Sequence, residues 1–317
     1  MAKLFRRKLR SALLKTASRS AVYLPRPLLR AGLRSSAWLS RFSVLEARTL
    51  ANLELAYGEE LDANERKAIA AGTRKHLARL AEEWLVLSSR RKDLNSWLAD
   101  RVEVDPSVRL LQEQQDKGRG VIVATGHIGN WELLAATLKR IGFEGAVVGM
   151  AKHRDPSADW LIEMRRNYGV ATISQRANPR ELMRVLQKGE LLGVLCDLEV
   201  RRLAGEHIPF FGRPALTMTA PAALARARKL PLIPVRCVLP HPGAERYRLL
   251  VDEPLHFNEK LSRKAATTDL MARLNQLFER WIRESPTQWA WHQHRWRWGP
   301  EAGQAVPLAA RDGQHFL

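Results

Sequence analysis

Short β-rich apolar runs alternate with helix-forming segments from about residue 105 onward, and this alternation constrains the fold more than any other feature. The runs that predict strands cover residues 121–125, 146–150, 170–174, 191–196, 232–238 and 246–251. The segments that predict helices cover residues 131–141, 156–168, 179–188, 219–229 and 261–283. Strands separated by single helices favour an α/β fold with a mostly parallel central sheet flanked by helices.

The first hundred residues have a helical pattern instead. Helical spacing of apolar residues covers 45–57, and Asp62 followed by Glu65 is typical of an N-cap with an acid in the first turn. We therefore predict four regions. They are a basic amphipathic arm at 1–44, a helical layer packed on the core at 45–104, the α/β domain at 105–300 and a tail at 301–317.

The formal net charge is +19, and the excess is concentrated at the N-terminus. Residues 1–41 carry eleven Lys or Arg and no acid. On a helix, the apolar residues among the first fifteen would form a stripe beside a basic face: Leu4, Phe5, Leu9, Leu13 and Leu14. Such a helix lies in the interface of an anionic membrane. A solvated tail and an Arg-rich organelle presequence remain alternatives.

No membrane-spanning segment is predicted. The longest charge-free stretches reach only about twelve residues, as at 214–225, against the roughly 20 needed to span a bilayer. The N-terminus has no continuous apolar segment of signal-peptide or anchor type, so we expect attachment through the basic arm. Cys196 and Cys237 lie in predicted strands and are expected to be buried free thiols, which favours a reducing compartment.

The segment that follows the first strand carries the candidate chemistry. An apolar run ends at Gly126, His127 follows, and Asn130 is a good N-cap for the next helix. On one continuous helix His127 and Glu132 would point about 140° apart, so they meet only if His127 lies in the loop. A carboxylate on one ring nitrogen would orient the imidazole, whose other nitrogen then accepts a proton from a hydroxyl. Alternatively, Glu132 is favoured there by the helix dipole alone and His127 is structural.

Residues 126–132 resemble the H-x4-D/E block of the glycerolipid acyltransferase superfamily. Their Asn-Trp-Glu form most resembles the lipid A biosynthesis (late) acyltransferase family. Three further blocks agree with that family in order and spacing: Asp-Pro at 155–156 with Met-Arg-Arg-Asn-Tyr-Gly at 164–169, residues 193–197 with 208–215, and residues 285–296. The likeness covers roughly residues 45–300.

The resemblance implies an O-acyltransferase that moves a fatty acyl chain from an acyl-carrier-protein or acyl-CoA thioester to a membrane glycolipid, most closely a lipid A precursor. It would work at the cytoplasmic face of the inner membrane, on anionic lipid, with no metal and no bound cofactor. His127 would be the general base and Glu132 its orienter. The implied substrate-binding residues are Asn130, Trp131, Arg154, Arg165, Arg166, Asp197, Phe210, Phe211, Gly212 and Arg213.

Several of these roles have alternatives. Arg165 and Arg166 would bind phosphate or support an oxyanion, or they form a solvated basic face. Residues 210–212 would shape the acyl or acceptor cleft, or are plain core. Asp197 would bind the acceptor or hold Arg165 in place. Leu198 stands where the family usually has Gln.

Parts of the sequence are also compatible with other functions. One alternative is an acyltransferase that acts on phosphatidylinositol mannosides or lysophospholipids. Another is a non-catalytic basic protein that binds membrane or nucleic acid. The Trp-rich residues 289–298 could stack on bases or lie at lipid headgroups, and we favour the headgroups. We therefore predict no nucleic-acid partner. His292 and His294 lack an obvious third ligand for a metal.

Overall fold

A computed structural model of the chain describes Thr16 and residues 25–89, 93–149, 156–199 and 205–297. The apolar stripe predicted within the first fifteen residues, Arg154 and the tail at 301–317 lie outside these ranges. Within them, no helix combines the length and hydropathy that crossing a bilayer requires.

Within the described residues, four α-helices precede the main sheet: α1 (Arg26–Leu39), α2 (Val44–Tyr57), α3 (Ala63–Ser88) and α4 (Leu94–Arg101). The predicted cap at Asp62 is confirmed. Its carboxylate accepts from the backbone N–H groups of Asn64 and Glu65, while the Glu65 side chain accepts from the backbone N–H of Asp62. These bonds satisfy donors that the first turn of α3 leaves unpaired.

The remaining chain alternates strands and helices, which confirms the predicted α/β class. The strands are β1 (Val102–Val104), β2 (Val121–Thr125), β3 (Gly145–Gly149), β4 (Ala171–Ser174), β5 (Leu191–Leu195), β6 (Gly205–Phe210), β7 (Arg213–Met218), β8 (Leu232–Val238) and β9 (Tyr247–Val251). The helices are α5 (Arg109–Gln115), α6 (Trp131–Arg140), α7 (Pro156–Asn167), α8 (Pro179–Gln187), α9 (Ala220–Arg228) and α10 (Arg263–Glu284). Each predicted strand and helix of this region is present within two residues of its predicted ends.

The main sheet has seven strands in the order β1-β9-β8-β2-β5-β3-β4. Its neighbours pair in parallel except β8 with β9, which are antiparallel. Strand β2 lies at the centre, between β5 and β8. Val121 and Val123 pack into one hydrophobic layer, and Ile122 and Ala124 pack into the other. A strand buried on both faces is continuously apolar, which is why β2 was recognisable in the sequence.

The antiparallel hairpin of β6 and β7 was not predicted. Pro209 and Pro214 face each other across it, and prolines ordinarily argue against a strand. Strand β1 was also missed, since its three residues are too short to show a period.

Candidate active site

The loop of residues 126–130 follows β2 at the carboxyl edge of the sheet, where open α/β sheets place their ligands. Strands β2 and β5 pair in parallel with Thr125 opposite Leu195. His127 and Asp197 each follow that pair by two residues, so the two side chains emerge from adjacent strand ends. Nδ1 of His127 lies 2.8 Å from Oδ1 of Asp197, and the backbone N–H of His127 donates to Oδ2 at 2.7 Å.

The residues that follow α10 complete the contacts of Asp197. Residues 285–296, here called the closing segment, place the indole N–H of Trp289 2.7 Å from Oδ2 of Asp197. The same segment holds the loop backbone: Ala290 N–H donates to the His127 carbonyl, and Gly129 N–H donates to the Gln288 carbonyl, both at 3.0 Å. Two distant parts of the chain therefore fix the position of His127.

Asp197 is held as a charged carboxylate. Burial alone would raise its pKa, but His127 and the N–H groups of Trp289 and the loop outweigh burial and lower the pKa below its ordinary value. Asp197 is 1% exposed, while the His127 side chain is 25% exposed. A buried anion thus orients an imidazole that solvent or substrate can reach. Because Nδ1 faces Asp197, Nε2 is the nitrogen left to accept a proton.

The predicted contact between Glu132 and His127 is wrong. Glu132 lies in the first turn of α6, as expected, but its buried carboxylate faces α7. Arg165 donates from Nε to Oε2 at 3.0 Å and from Nη2 to Oε1 at 2.6 Å, and the Tyr168 hydroxyl donates to Oε2 at 2.6 Å. Burial alone would lower the pKa of Arg165, but the Glu132 carboxylate raises it above its ordinary value. The expectation that Asp197 holds Arg165 is also wrong, because Glu132 holds Arg165 and Asp197 contacts His127.

Helix α3 holds the back of the loop through Glu83. Its Oε2 accepts from the Asn130 amide at 2.7 Å and from the Tyr247 hydroxyl at 2.9 Å, while Oε1 accepts from Arg79 at 3.0 Å. Asn130 in turn caps α6 by accepting from the backbone N–H of Leu133. Burial raises the pKa of Glu83, and its three donors offset that only in part.

Two further side chains of α3 reach the loop. Trp84 donates from its indole to Oδ1 of Asn130 at 3.1 Å, and Nε2 of His76 lies 3.1 Å from the Gly129 carbonyl. A carbonyl only accepts, so Nε2 of His76 carries the proton. Burial lowers the pKa of His76 to about 4, so the ring stays neutral at physiological pH.

Gly129 is required by its surroundings. Its φ is +61°, and a Cβ there would lie 2.0 Å from the Cys237 carbonyl oxygen. Any larger residue would push the loop away from β8. The loop geometry thus depends on close backbone approach as well as on hydrogen bonds.

Of the other predicted site residues, Trp131 and Asn130 lie close to His127 in the chain, and three more are exposed. Trp131 borders His127, with ring centres 5.0 Å apart in an edge-to-face arrangement. Asn130 is fully buried and positions the loop. Arg166, Gly212 and Arg213 are exposed; the Arg213 guanidinium donates to the Leu55 carbonyl at 2.6 Å.

The tryptophans of the closing segment are core residues. Trp289, Trp291 and Trp296 are at most 3% exposed, and they pack with Phe210 and Phe211. Both readings of this stretch, stacking on bases and contact with headgroups, are therefore wrong for these three residues. Phe210 and Phe211 are buried, as the alternative prediction of core residues expects. Phe210 packs against Trp289 and through it supports Asp197.

Sequence reasoning missed Asp197, Trp289, Glu83 and His76 as partners of the loop. A signal for Asp197 existed, since residues following neighbouring parallel strands meet at one edge. No local signal pointed to Glu83, His76 or Trp289, because they come from helices and segments far away in the chain.

Comparison with known protein sequences shows the family of the chain. The sequence model of the family described as bacterial lipid A biosynthesis acyltransferase matches residues 6–298. A lipid A biosynthesis acyltransferase of Haemophilus influenzae is 26% identical over 297 residues, which cover 89% of this chain and 88% of that protein. A lipid A biosynthesis lauroyltransferase of Escherichia coli is 24% identical over 287 residues, which cover 88% of this chain and 89% of that protein. The chain belongs to the bacterial lipid A biosynthesis acyltransferase family, and it is an O-acyltransferase.

Proposed function

We propose that the protein transfers a fatty acyl chain from a thioester donor to a hydroxyl of a lipid A precursor, with His127 as general base. The observation that carries this proposal is the contact between His127 and the buried Asp197 at the carboxyl edge of the sheet. The pairing of an accessible imidazole with a buried carboxylate is the arrangement that activates a hydroxyl nucleophile.

The reaction proceeds by direct transfer. Nε2 of His127 takes the proton of the acceptor hydroxyl as its oxygen bonds to the thioester carbonyl carbon. The tetrahedral intermediate then collapses, the carbon–sulfur bond breaks, and the thiolate leaves with the proton from the imidazolium. Asp197 fixes the tautomer of His127 and stabilises the imidazolium, and its lowered pKa keeps it ionised throughout. This step needs no acyl-enzyme, metal or bound cofactor.

The neighbouring residues Arg165 and Arg166 have different proposed roles. Arg165 is 8% exposed and ion-paired with Glu132, so its first role is to position α7 against α6. Arg166 is exposed and available to bind phosphate on the acceptor or donor. Arg154 would also bind substrate, as the resemblance to the family implies. Trp131 would contact substrate beside His127.

The acceptor is proposed from the relatives. Both are named for lipid A biosynthesis, and one is named a lauroyltransferase. This favours a lipid A precursor over a phosphatidylinositol mannoside or a lysophospholipid. We propose on the same ground that the protein works at the cytoplasmic face of the inner membrane, where the basic N-terminal arm would meet anionic lipid. The donor is a thioester of acyl carrier protein or CoA. Both are acidic, and both suit a chain of net charge +19.

The test uses the full chain with a lipid A precursor in detergent micelles and either donor, with product followed by mass spectrometry. We expect the unaltered protein to add one acyl chain, and His127→Asn to lose about 10³-fold or more in kcat while remaining folded. His241→Asn is the matched control, because His241 is exposed outside the loop. Retained activity in His127→Asn would contradict the proposal. The donor with the larger kcat/KM is the assigned one.

The second class of function, a binding protein on an inactive scaffold, predicts no turnover of either thioester. It also predicts equal vesicle or nucleic-acid binding by the unaltered protein and His127→Asn. The burial of Trp289, Trp291 and Trp296 removes the stacking surface that suggested nucleic acid.

A further inference from the structure

The described part of the chain exposes seven large apolar side chains, and six of them fall within residues 28–45. Five lie where α1 ends and α2 begins. These five, here called the apolar patch, are Trp38, Leu39, Phe42, Val44 and Leu45. Their exposed fractions run from 43% for Leu45 to 72% for Phe42. Single exposed apolar residues are ordinary, whereas a cluster marks a binding surface.

The segment that carries the apolar patch has charged residues of one sign, although one of them, Arg30, is ion-paired with Glu82 of α3. Residues 25–45 contain four arginines and no acidic residue. The guanidinium of Arg41 lies 4.6 Å from the ring centre of Trp38 and 4.5 Å from that of Phe42. Trp beside Arg suits the zone between headgroups and acyl chains, because that zone is apolar on one side and negatively charged on the other. Charge complementarity therefore selects an anionic bilayer as the occupant.

The apolar patch is connected to the candidate active site through α2. One turn after Leu45, Arg48 donates from Nη1 to the His292 carbonyl at 3.2 Å. Asn52, one turn further, donates to the carbonyls of Trp291 and Gln293 at 2.6 and 2.8 Å. These bonds anchor the helix that begins at the patch to the closing segment.

The closing segment in turn contacts the His127 loop and Asp197. Ala290, two residues before His292, donates from its backbone N–H to the His127 carbonyl at 3.0 Å. Trp289, three residues before His292, contacts Asp197. The apolar patch thus has a defined position relative to the base.

We propose that the apolar patch inserts into the headgroup region of an anionic bilayer and places the opening of the His127 site at the membrane surface. An acceptor lipid would then reach His127 with its acyl chains still in the bilayer. The delivery of acceptor rests on the proposed function, whereas insertion itself does not.

Insertion is tested directly with a reporter in the patch. Phe42→Cys in the full chain is labelled with nitrobenzoxadiazole and mixed with phosphatidylethanolamine–phosphatidylglycerol vesicles; the native cysteines are buried and react little. We expect a blue shift of the emission and quenching by spin-labelled lipid. Leu261→Cys, at the seventh exposed apolar residue, is the matched control and is expected to show neither change. Unchanged emission at position 42 overturns the proposal, whatever the remainder of the chain binds.

Vesicle flotation measures the contribution of the patch and its preference for charge. We expect Trp38→Ser with Phe42→Ser to weaken binding to the anionic vesicles by about tenfold or more, and Leu261→Ser to leave it unchanged. Equal binding of the unaltered protein to pure phosphatidylcholine overturns the assignment to anionic lipid. If the double variant instead converts a dimer to a monomer in sedimentation without lipid, the patch joins two copies and the proposal is overturned.

Activity separates this proposal from the function itself. With acceptor in detergent micelles the double variant should match the unaltered protein, whereas with acceptor in vesicles its rate should fall about as much as its binding. Equal rates for both proteins on vesicles overturn acceptor delivery through the patch. An unaltered protein that inserts but transfers nothing in either format contradicts the proposed function and not the insertion.

Discussion

Two regions of the molecule hold the loop 126–130, and each acts through a buried carboxylate. In front, Asp197 at the end of β5 contacts the imidazole and backbone N–H of His127. Behind, Glu83 on α3 contacts the Asn130 amide and the Tyr247 hydroxyl. The two residues are 1% and 5% exposed, so burial does not distinguish them.

Their pKa values nevertheless shift in opposite directions. Burial prevails at Glu83 and raises its pKa, whereas at Asp197 the imidazole and the N–H donors outweigh burial and lower it. Asp197 faces a ring that gains a positive charge during the proposed reaction, while Glu83 faces an amide, a hydroxyl and the Arg79 guanidinium, none of which changes its charge in that reaction. The front region is therefore suited to proton transfer and the back region to fixing the shape of the backbone.

Asp197→Asn tests the front region, and we expect the largest effect here. The amide N–H would face Nδ1 of His127 and favour the tautomer whose Nε2 already carries a proton. We expect kcat to fall about 10³-fold, with KM and the unfolding midpoint little changed. Steady-state transfer assays with urea unfolding of the same sample check this. A variant that keeps more than half the activity would remove Asp197 from the proposed mechanism.

Glu132→Gln asks whether Glu132 belongs to the front region after all. Arg165 would become a buried cation without its partner, so we expect the free energy of unfolding to fall by about 3 kcal/mol. Adding Arg165→Met should restore most of that loss, since no buried charge then remains. A large loss of kcat with an unchanged free energy of unfolding would instead support the predicted role of Glu132 in orienting His127.

His76 gives the back region its own pH dependence. Its folded pKa of about 4 lies below the ordinary value of 6.5, so the unfolded chain binds the proton first as pH falls. The free energy of unfolding is therefore highest above pH 6.5 and falls as the pH drops from 6.5 to 4. Between pH 7 and pH 5 we expect a loss of about 2 kcal/mol. Urea unfolding of the unaltered protein and of His76→Gln at both pH values should differ by that amount. Parallel losses in the two proteins would show that His76 does not titrate in this way.

Glu83→Gln should have the smallest effect of the four. Arg79 loses its carboxylate partner but keeps its bonds to two backbone carbonyls, and the new amide oxygen can still accept from Asn130 or Tyr247. We therefore expect the loop to shift slightly and to stay attached to α3. We expect kcat to fall about tenfold with the shape of the pH–rate profile unchanged, because Glu83 does not face the reacting proton. A changed profile would mean that the two regions are less separate than their contacts suggest.

Much of the fold was predictable because its main signals are local. Central strands such as β2 and β5 are continuous apolar runs, and Asp62, Asn130 and Asn178 mark helix starts through their own side chains. The hairpin of β6 and β7 was missed because it carries two prolines. Its pairing depends on a turn at Phe211 and Gly212, both with positive φ, which pattern alone does not reveal.

The site was predictable only in part, and the error has a physical cause. His127 and Asn130 follow from the strand, loop and helix order of one segment. The choice of Glu132 over Asp197 favoured a neighbour in sequence over a neighbour in space. Strand pairing brings residue 197 to residue 127, while the helical turn after Asn130 carries residue 132 toward α7.

The closing segment has a consequence for the order in which the molecule is made. Gln288, Trp289 and Ala290 supply a backbone acceptor, the indole N–H and a backbone N–H that hold the loop and Asp197. A ribosome synthesises them about 160 residues after His127, roughly ten seconds or more later at 5–20 residues per second. Until then the imidazole lacks part of its support, so a nascent or truncated chain ending before residue 288 would carry the base without its final orientation. Catalytic competence would then arise only when nearly all of the described chain has left the ribosome.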